Sequence, residues 1–213
     1  ADPSEEIDAA RHKAVSDVFM ESGKQGLIEL AQRSKLPQCV ALAIRILEFG
    51  FDELGQLFLQ VLRATPNIDV VAGFLLEEGA TRFWEQWAQF ARETFVRERV
   101  PHERVAQILT ALDHSMPTWK YVYEYGPEVN DSYWCLKQAY FANDNTDELL
   151  FGVQRYIDYS RFLVAFSAAS RTFLAFPPAV LVPLLEGAVQ ELNSPIRSAG
   201  HLTSYNIEHA FIE

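Results

Sequence analysis

The sequence predicts an all-α chain, arranged as an irregular α-solenoid or a stack of antiparallel helix pairs. Three observations lead there. Apolar residues recur at helical spacing in segment after segment, and those segments are bounded by Pro, Gly or Asn. No run of alternating β-branched residues with hairpin turns occurs, which argues against a substantial sheet. Amphipathic segments alternate with two that are apolar on most sides, as expected where each helix pair leaves an apolar face for the next pair to cover.

From the N-terminus, "ADPSEEIDAARHK" is polar and acidic where a secretory leader would be basic and then apolar, and Ala1-Asp2-Pro3 reads as a cloning remnant. Gly23 and Gly26 in "ESGKQG" lack the spacing and the trailing Ser or Thr of a nucleotide-binding loop, so they read as a helix-end turn. Val40 to Leu47 ("VALAIRIL") is apolar on most sides and reads as an inner helix. Leu54, Leu57, Phe58, Val61 and Leu62 form one stripe on a helix opening near Asp52 and stopping before Pro66. Phe83, Trp87, Phe90, Ala91 and Phe95 mark a longer helix of the same kind, and Arg92 to Arg104, interleaved with Glu93, Glu98 and Glu103, reads as a solvated face of mixed charge. Pro101 suits a first helical position ahead of Val105, Ile108, Leu109 and Leu112.

Between Trp119 and Phe162 the aromatics are densest, in the pattern of helix–helix seams whose Tyr and Trp tips stay wet. Tyr121, Tyr123 and Tyr125 alternate in "KYVYEYG", so one helix cannot bury all three. In "NDNTDE", Asn143, Asn145 and Asp147 match the first ligand positions of a calcium loop. Glu148 stands where that loop needs Gly, however, and Gln154 where it needs a bidentate Glu. A capping box fits better: Asn145 accepts from first-turn N–H groups, Glu148 reaches back, and Leu149, Leu150, Val153, Tyr156 and Ile157 follow as the buried stripe. Phe162 to Phe173 reads as a second inner helix. Aligning Pro177 with Pro101 places Leu181, Leu184, Leu185 and Gly187 on Val105, Ile108, Leu109 and Ala111, a match any two Pro-started amphipathic helices share. Leu202 to Glu213 begins a further helix carrying Tyr205, Ile207, Ala210, Phe211 and Ile212, without a C-cap signal.

Composition narrows the function. At 213 residues, 49% hydrophobic and 22% charged, the chain can bury a core as one helical-repeat domain spanning 1–213. Its net charge of -11, from 18 Lys plus Arg against 29 Asp plus Glu, repels nucleic acid, and no segregated basic patch offsets it. Cys39 and Cys135 lie in apolar helical patterns without metal-ligand spacing and read as buried small hydrophobes in a reducing, cytoplasmic setting. No apolar run approaches the ~20 residues of a membrane helix. His12, His102, His114, His201 and His209 are isolated, with no HExxH, no ExxH pair and no nucleophile elbow.

In order, "FWEQWAQFA", "VPHERVAQILTAL", "MPTWKYVYEYGPEVNDSYW" and "DELLFGVQRYIDYSRFLVAFSAAS" resemble the α-helical repeat region, HEAT/TPR-like, of very large bacterial multi-domain proteins. The likeness spans Leu27 to Phe211. It implies that this chain is a piece of a larger polypeptide that pairs the array with a nuclease-like or ATPase-like part, in some cases in antiviral defence. No catalytic residue is carried over, and no cofactor or metal ligand is assigned. The resulting expectation is a non-enzymatic scaffold for a protein partner or another domain of the same polypeptide, with Trp119, Tyr121, Tyr123, Tyr125 and Tyr133 as contact residues. The alternative is an all-α enzyme or small-molecule or metal-binding domain built on Asn143–Glu148, for which Asp144, Asp147, His102 and His114 are the nominees.

Overall fold

A computed structural model describes residues 3–138, 146–169 and 176–193. The chain is all-helical, with ten α-helices and no strand among the described residues. It divides into two compact units, Ala1–Leu112 and Asp113–Glu213.

The first unit opens with α1 (Pro3–Arg33), jointed at Gly23, whose φ of 60° is open to glycine and strained for most other residues. The sequence placed a helix-end turn there; it is instead a joint inside one long helical run. α2 (Pro37–Ile44) starts on Pro37 and runs into a 3-10 turn, Arg45–Leu47, which Glu48 ends in the left-handed conformation. α3 (Phe51–Ala64) carries the predicted stripe, with Leu54, Leu57, Phe58, Val61 and Leu62 all at most 4% exposed. Its start is closed by the Gly50 N–H donating to Glu53 Oε2 at 3.3 Å. α4 (Asp69–Arg97) is broken at Phe83 (φ -140°, ψ 34°), and α5 (His102–Leu109) follows. Pro101 is one residue outside α5 and has extended backbone. Val105, Ile108, Leu109 and Leu112 are buried as the stripe requires.

The kink in α4 makes the core of this unit. It turns the second half of the helix so that the Trp87 indole lies flat against Gly79, where an added Cβ would come within 1.9 Å of the ring. Phe58 of α3 meets Trp87 at 5.8 Å and Phe95 at 5.8 Å. Edge-to-face and tilted rings at these separations add to the area they bury. The Arg92–Arg104 run is not one face: α4 ends at Arg97, Arg99 has φ 52°, and Arg104 lies on α5. Glu98 accepts from Arg63 Nε at 2.7 Å and Nη2 at 2.8 Å, while Arg104 Nε donates to the buried Asp69 at 2.8 Å. Burial raises the pKa of Asp69, and Arg104 opposes the rise.

The second unit contains α6 (Met116–Tyr123), α7 (Pro127–Leu136), α8 (Thr146–Asp158), α9 (Phe162–Ala169) and α10 (Pro178–Asn193). α6 packs on α7, α8 on α9, and α9 on α10. α8 begins where the capping reading put it, with Asp147 and Glu148 in its first turn. Asn145 lies outside the described residues. The Glu148 Oε1 accepts from the Met116 N–H of α6 at 2.9 Å. The Leu202–Glu213 helix expected from the sequence lies outside the described residues.

Two expectations need correction. The segment 40–47 is covered on one side only: Val40, Ala41, Ala43 and Ile44 are buried, but Leu42 is 46% and Ile46 44% exposed. An apolar run states how much surface a helix can bury, not how much its neighbours reach. The cysteines are also not core residues, because Cys39 is half-buried and Cys135 exposed.

Candidate functional site

The aromatic stretch nominated from sequence builds the core of the second unit. α7 places Tyr133 and Trp134 side by side at 0% and 1% exposure and turns Cys135 outward. Trp134 meets Trp119 of α6 at 5.7 Å and Tyr156 of α8 at 5.5 Å. Phe151 stacks on Trp119 at 4.9 Å and 25°. His114, 2% exposed, sits against Trp119, Trp134 and Tyr156.

The polar groups of this cluster converge on the C-terminal end of α7. Arg161 Nη1 donates to the carbonyls of Trp134 and Lys137, both at 2.7 Å. His114 Nε2 lies 2.7 Å from the Gln138 carbonyl, and because a carbonyl only accepts, Nε2 carries the proton. The Tyr156 hydroxyl donates to the same carbonyl at 3.1 Å. A helix end leaves its last carbonyls without intrahelical partners; Arg161 supplies a donor for that of Trp134 and for the C-cap Lys137, while His114 and Tyr156 hold the carbonyl of Gln138 just beyond the helix. Burial, reinforced by the Lys137 charge, lowers the His114 pKa to about 4, against the opposing pull of the Gln138 carbonyl and Asp113. Burial likewise raises the pKa of Tyr133 and Tyr156. Near neutral pH the imidazole and both phenols are therefore uncharged, and those of His114 and Tyr156 are engaged with backbone. At the rim, burial and Asp131 push Tyr159 up to about 12, its hydroxyl donating to Asp131 at 2.5 Å.

The five residues nominated for partner contact fall into two groups. Trp119, Tyr121 and Tyr133 are core, at 4%, 6% and 0% exposure. Tyr125 is half-buried with its hydroxyl 2.5 Å from that of Tyr121, and Tyr123 is 69% exposed. Alternation required one exposed tyrosine in "KYVYEYG", and Tyr123 is that residue. Of the enzyme nominees, His102 is exposed on α5 of the first unit, Asp147 is exposed on α8, His114 is buried, and Asp144 lies outside the described residues. Among the described residues no three His, Cys, Asp or Glu side chains are placed to hold a metal ion.

Sequence reasoning missed a feature of the first unit. Arg45, the single charge in "VALAIRIL", reaches Glu77 at 2.7 Å and Glu78 at 3.5 Å, and it lies 5.4 Å over the Phe74 ring. Arg82 Nη1 donates to the Phe49 carbonyl at 2.7 Å and sits 3.7 Å from Glu78. The cleft these residues line holds about 10 Å³, room for one water molecule. A lone Arg inside an apolar run was the available signal, since such a charge needs a partner. On that side the network ties the 3-10 turn to α4, and on the other side Leu42 and Ile46 face outward. Comparison of the chain with protein-family models, curated protein sequences and solved structures finds no match.

Proposed function

We propose that this chain is a non-enzymatic helical-repeat scaffold, its helix pairs stacked as an irregular α-solenoid, that binds a protein partner or another domain of the same polypeptide. The exposed side of α2 carries the reading. A helix apolar on most sides is ordinarily covered on most sides, yet Leu36, Leu42 and Ile46 are 54%, 46% and 44% exposed, and Cys39 between them is half-buried. Apolar side chains exposed together along one short segment, on the side away from the Arg45–Glu77 ion pair, fit a partner surface better than they fit water. Tyr123 offers a second anchor, an exposed ring held on a helix whose neighbours Trp119 and Tyr121 are fixed in the core. A sensor or regulatory role inside a larger cytoplasmic bacterial protein, including one of antiviral defence, follows from the resemblance of the ordered motifs.

A photo-crosslinking amino acid at Leu42, compared with one at the exposed Glu93, tests the reading in lysate of the native host. A discrete adduct at Leu42 that vanishes with Ile46→Glu is the expected result. Identical adduct patterns at both positions would remove α2 as the contact surface.

A further inference from the structure

α10 carries more apolar surface than the described residues of its unit cover. Leu184, Gly187 and Ala188 are buried, and Phe162 of α9 lies so close to Gly187 that an added Cβ would come within 2.1 Å of the ring. Round the helix from them runs a second stripe. Val182 is 52%, Val189 55% and Leu192 40% exposed, and Leu185 is half-buried. The spacing is three, four and three residues, that of the a and d positions of a coiled coil. The stripe extends about 15 Å along the helix at 1.5 Å per residue, and the exposed polar side chains of Glu186, Gln190 and Asn193 border it.

We propose that this stripe is the contact surface of a homodimer in which α10 of a second copy lies parallel to it. The residue types select the occupant. Valine at both a positions and leucine at both d positions is the combination that favours two parallel strands, because β-branched side chains pack well at a and leucine at d. Pairing across a two-fold axis sets each position against its own copy, so one stripe is sufficient. Flanking charge permits it: Leu181 of one copy faces Glu186 of the other, and Ala188 faces Asn193, so no like-charged pair borders the seam. Packing against α9 already holds α10 helical, which removes the nucleation cost that makes isolated short helices unstable. Four side chains per copy make a small interface, so assembly is weak and concentration-dependent.

Sedimentation of the full chain from roughly 5 to 500 μM reads the equilibrium directly. The expected result is a shift from one chain to two, strengthened by added salt because it screens the -11 charge on each copy. Val189→Glu keeps the mass at one chain throughout. With Cys39→Ser and Cys135→Ser in the background, Val189→Cys oxidises to a disulfide-linked dimer, since a faces a in parallel register and faces d in antiparallel. A chain that stays single at every concentration overturns the proposal. So does a dimer that survives Val189→Glu, or a dimer in which Val189→Cys fails to bridge. If Val189→Glu lowers the melting temperature of a chain that never dimerises, the stripe is covered from within the chain, and the proposal also fails.

Discussion

Gly79 and His114 are the positions where one side chain decides most. The Trp87 indole occupies the space a Cβ would need at Gly79, and both belong to the same kinked helix, so neither retreats without moving the core. Gly79→Ala is expected to cost about 3 kcal/mol, in the range of overpacked cores. Combining it with Trp87→Phe should cost less than the sum of the single changes, as urea denaturation of the four proteins would measure. His114 sets a pH dependence. Its folded pKa of about 4 lies below the ordinary imidazole value of 6.5, so the unfolded chain binds its proton first as pH falls. The contribution is intact above pH 6.5 and is lost as pH falls toward 4, about 3 kcal/mol at 1.36 kcal/mol per pKa unit. His114→Gln keeps an N–H donor without the titration. Its stability should therefore vary less over that interval, even if it is lower at pH 7.

Short helices here depend on their neighbours. α6 has 8 residues, below the ~12 at which an isolated helix begins to hold in water. Its start is fixed from three sides: Ser115 Oγ accepts from the Thr118 N–H at 3.4 Å, Thr118 Oγ1 donates to Asp113 at 2.8 Å, and Glu148 of α8 accepts from the Met116 N–H at 2.9 Å. Glu148→Ala should destabilise the protein by about 1–2 kcal/mol, the range for losing a helix cap. It should also speed amide exchange in 116–123 before it does so in α3; uniform exchange across both would contradict the capping role. The same helices show what the sequence disclosed. The stripes of α3 and α5 were legible because period alone fixes which side of such a helix is apolar. The start of α8 was legible because Asp147 and Glu148 suit the positive end of a helix. The exposed side of α2 was not, since an apolar run carries no record of which neighbours arrive. Nor was the burial of Trp119, Tyr121 and Tyr133, because a seam and a contact surface draw on the same residue types.

Across the whole chain, charge and side-chain inventory govern behaviour. With a net charge of -11 the protein should leave duplex DNA and RNA unshifted in gels at micromolar protein and near-physiological salt; a shift would reveal a basic patch that the sequence does not show. Millimolar Mg²⁺, Ca²⁺ or Zn²⁺ should not move the melting temperature, because specific binding to the native state must raise it. A rise with one ion alone would revive the acidic-segment reading of Asn143–Glu148. The isoelectric point of about 4.9 falls inside the interval over which His114 gains its proton, so loss of repulsion and loosening of the second core coincide on acidification. Turbidity in that interval should fall with His114→Gln.

The tryptophans divide two to a unit, Trp84 and Trp87 in the first and Trp119 and Trp134 in the second. Trp87, its indole N–H without a hydrogen-bond acceptor and its ring against Gly79, should emit toward the blue and redden when α4 straightens. Trp119 and Trp134, 5.7 Å apart at 42°, are close enough for their transitions to couple, giving a paired dichroism band that fades when α6 and α7 separate. The chain thus carries two native optical reporters of different kinds, and the melting of either half can be followed without a label.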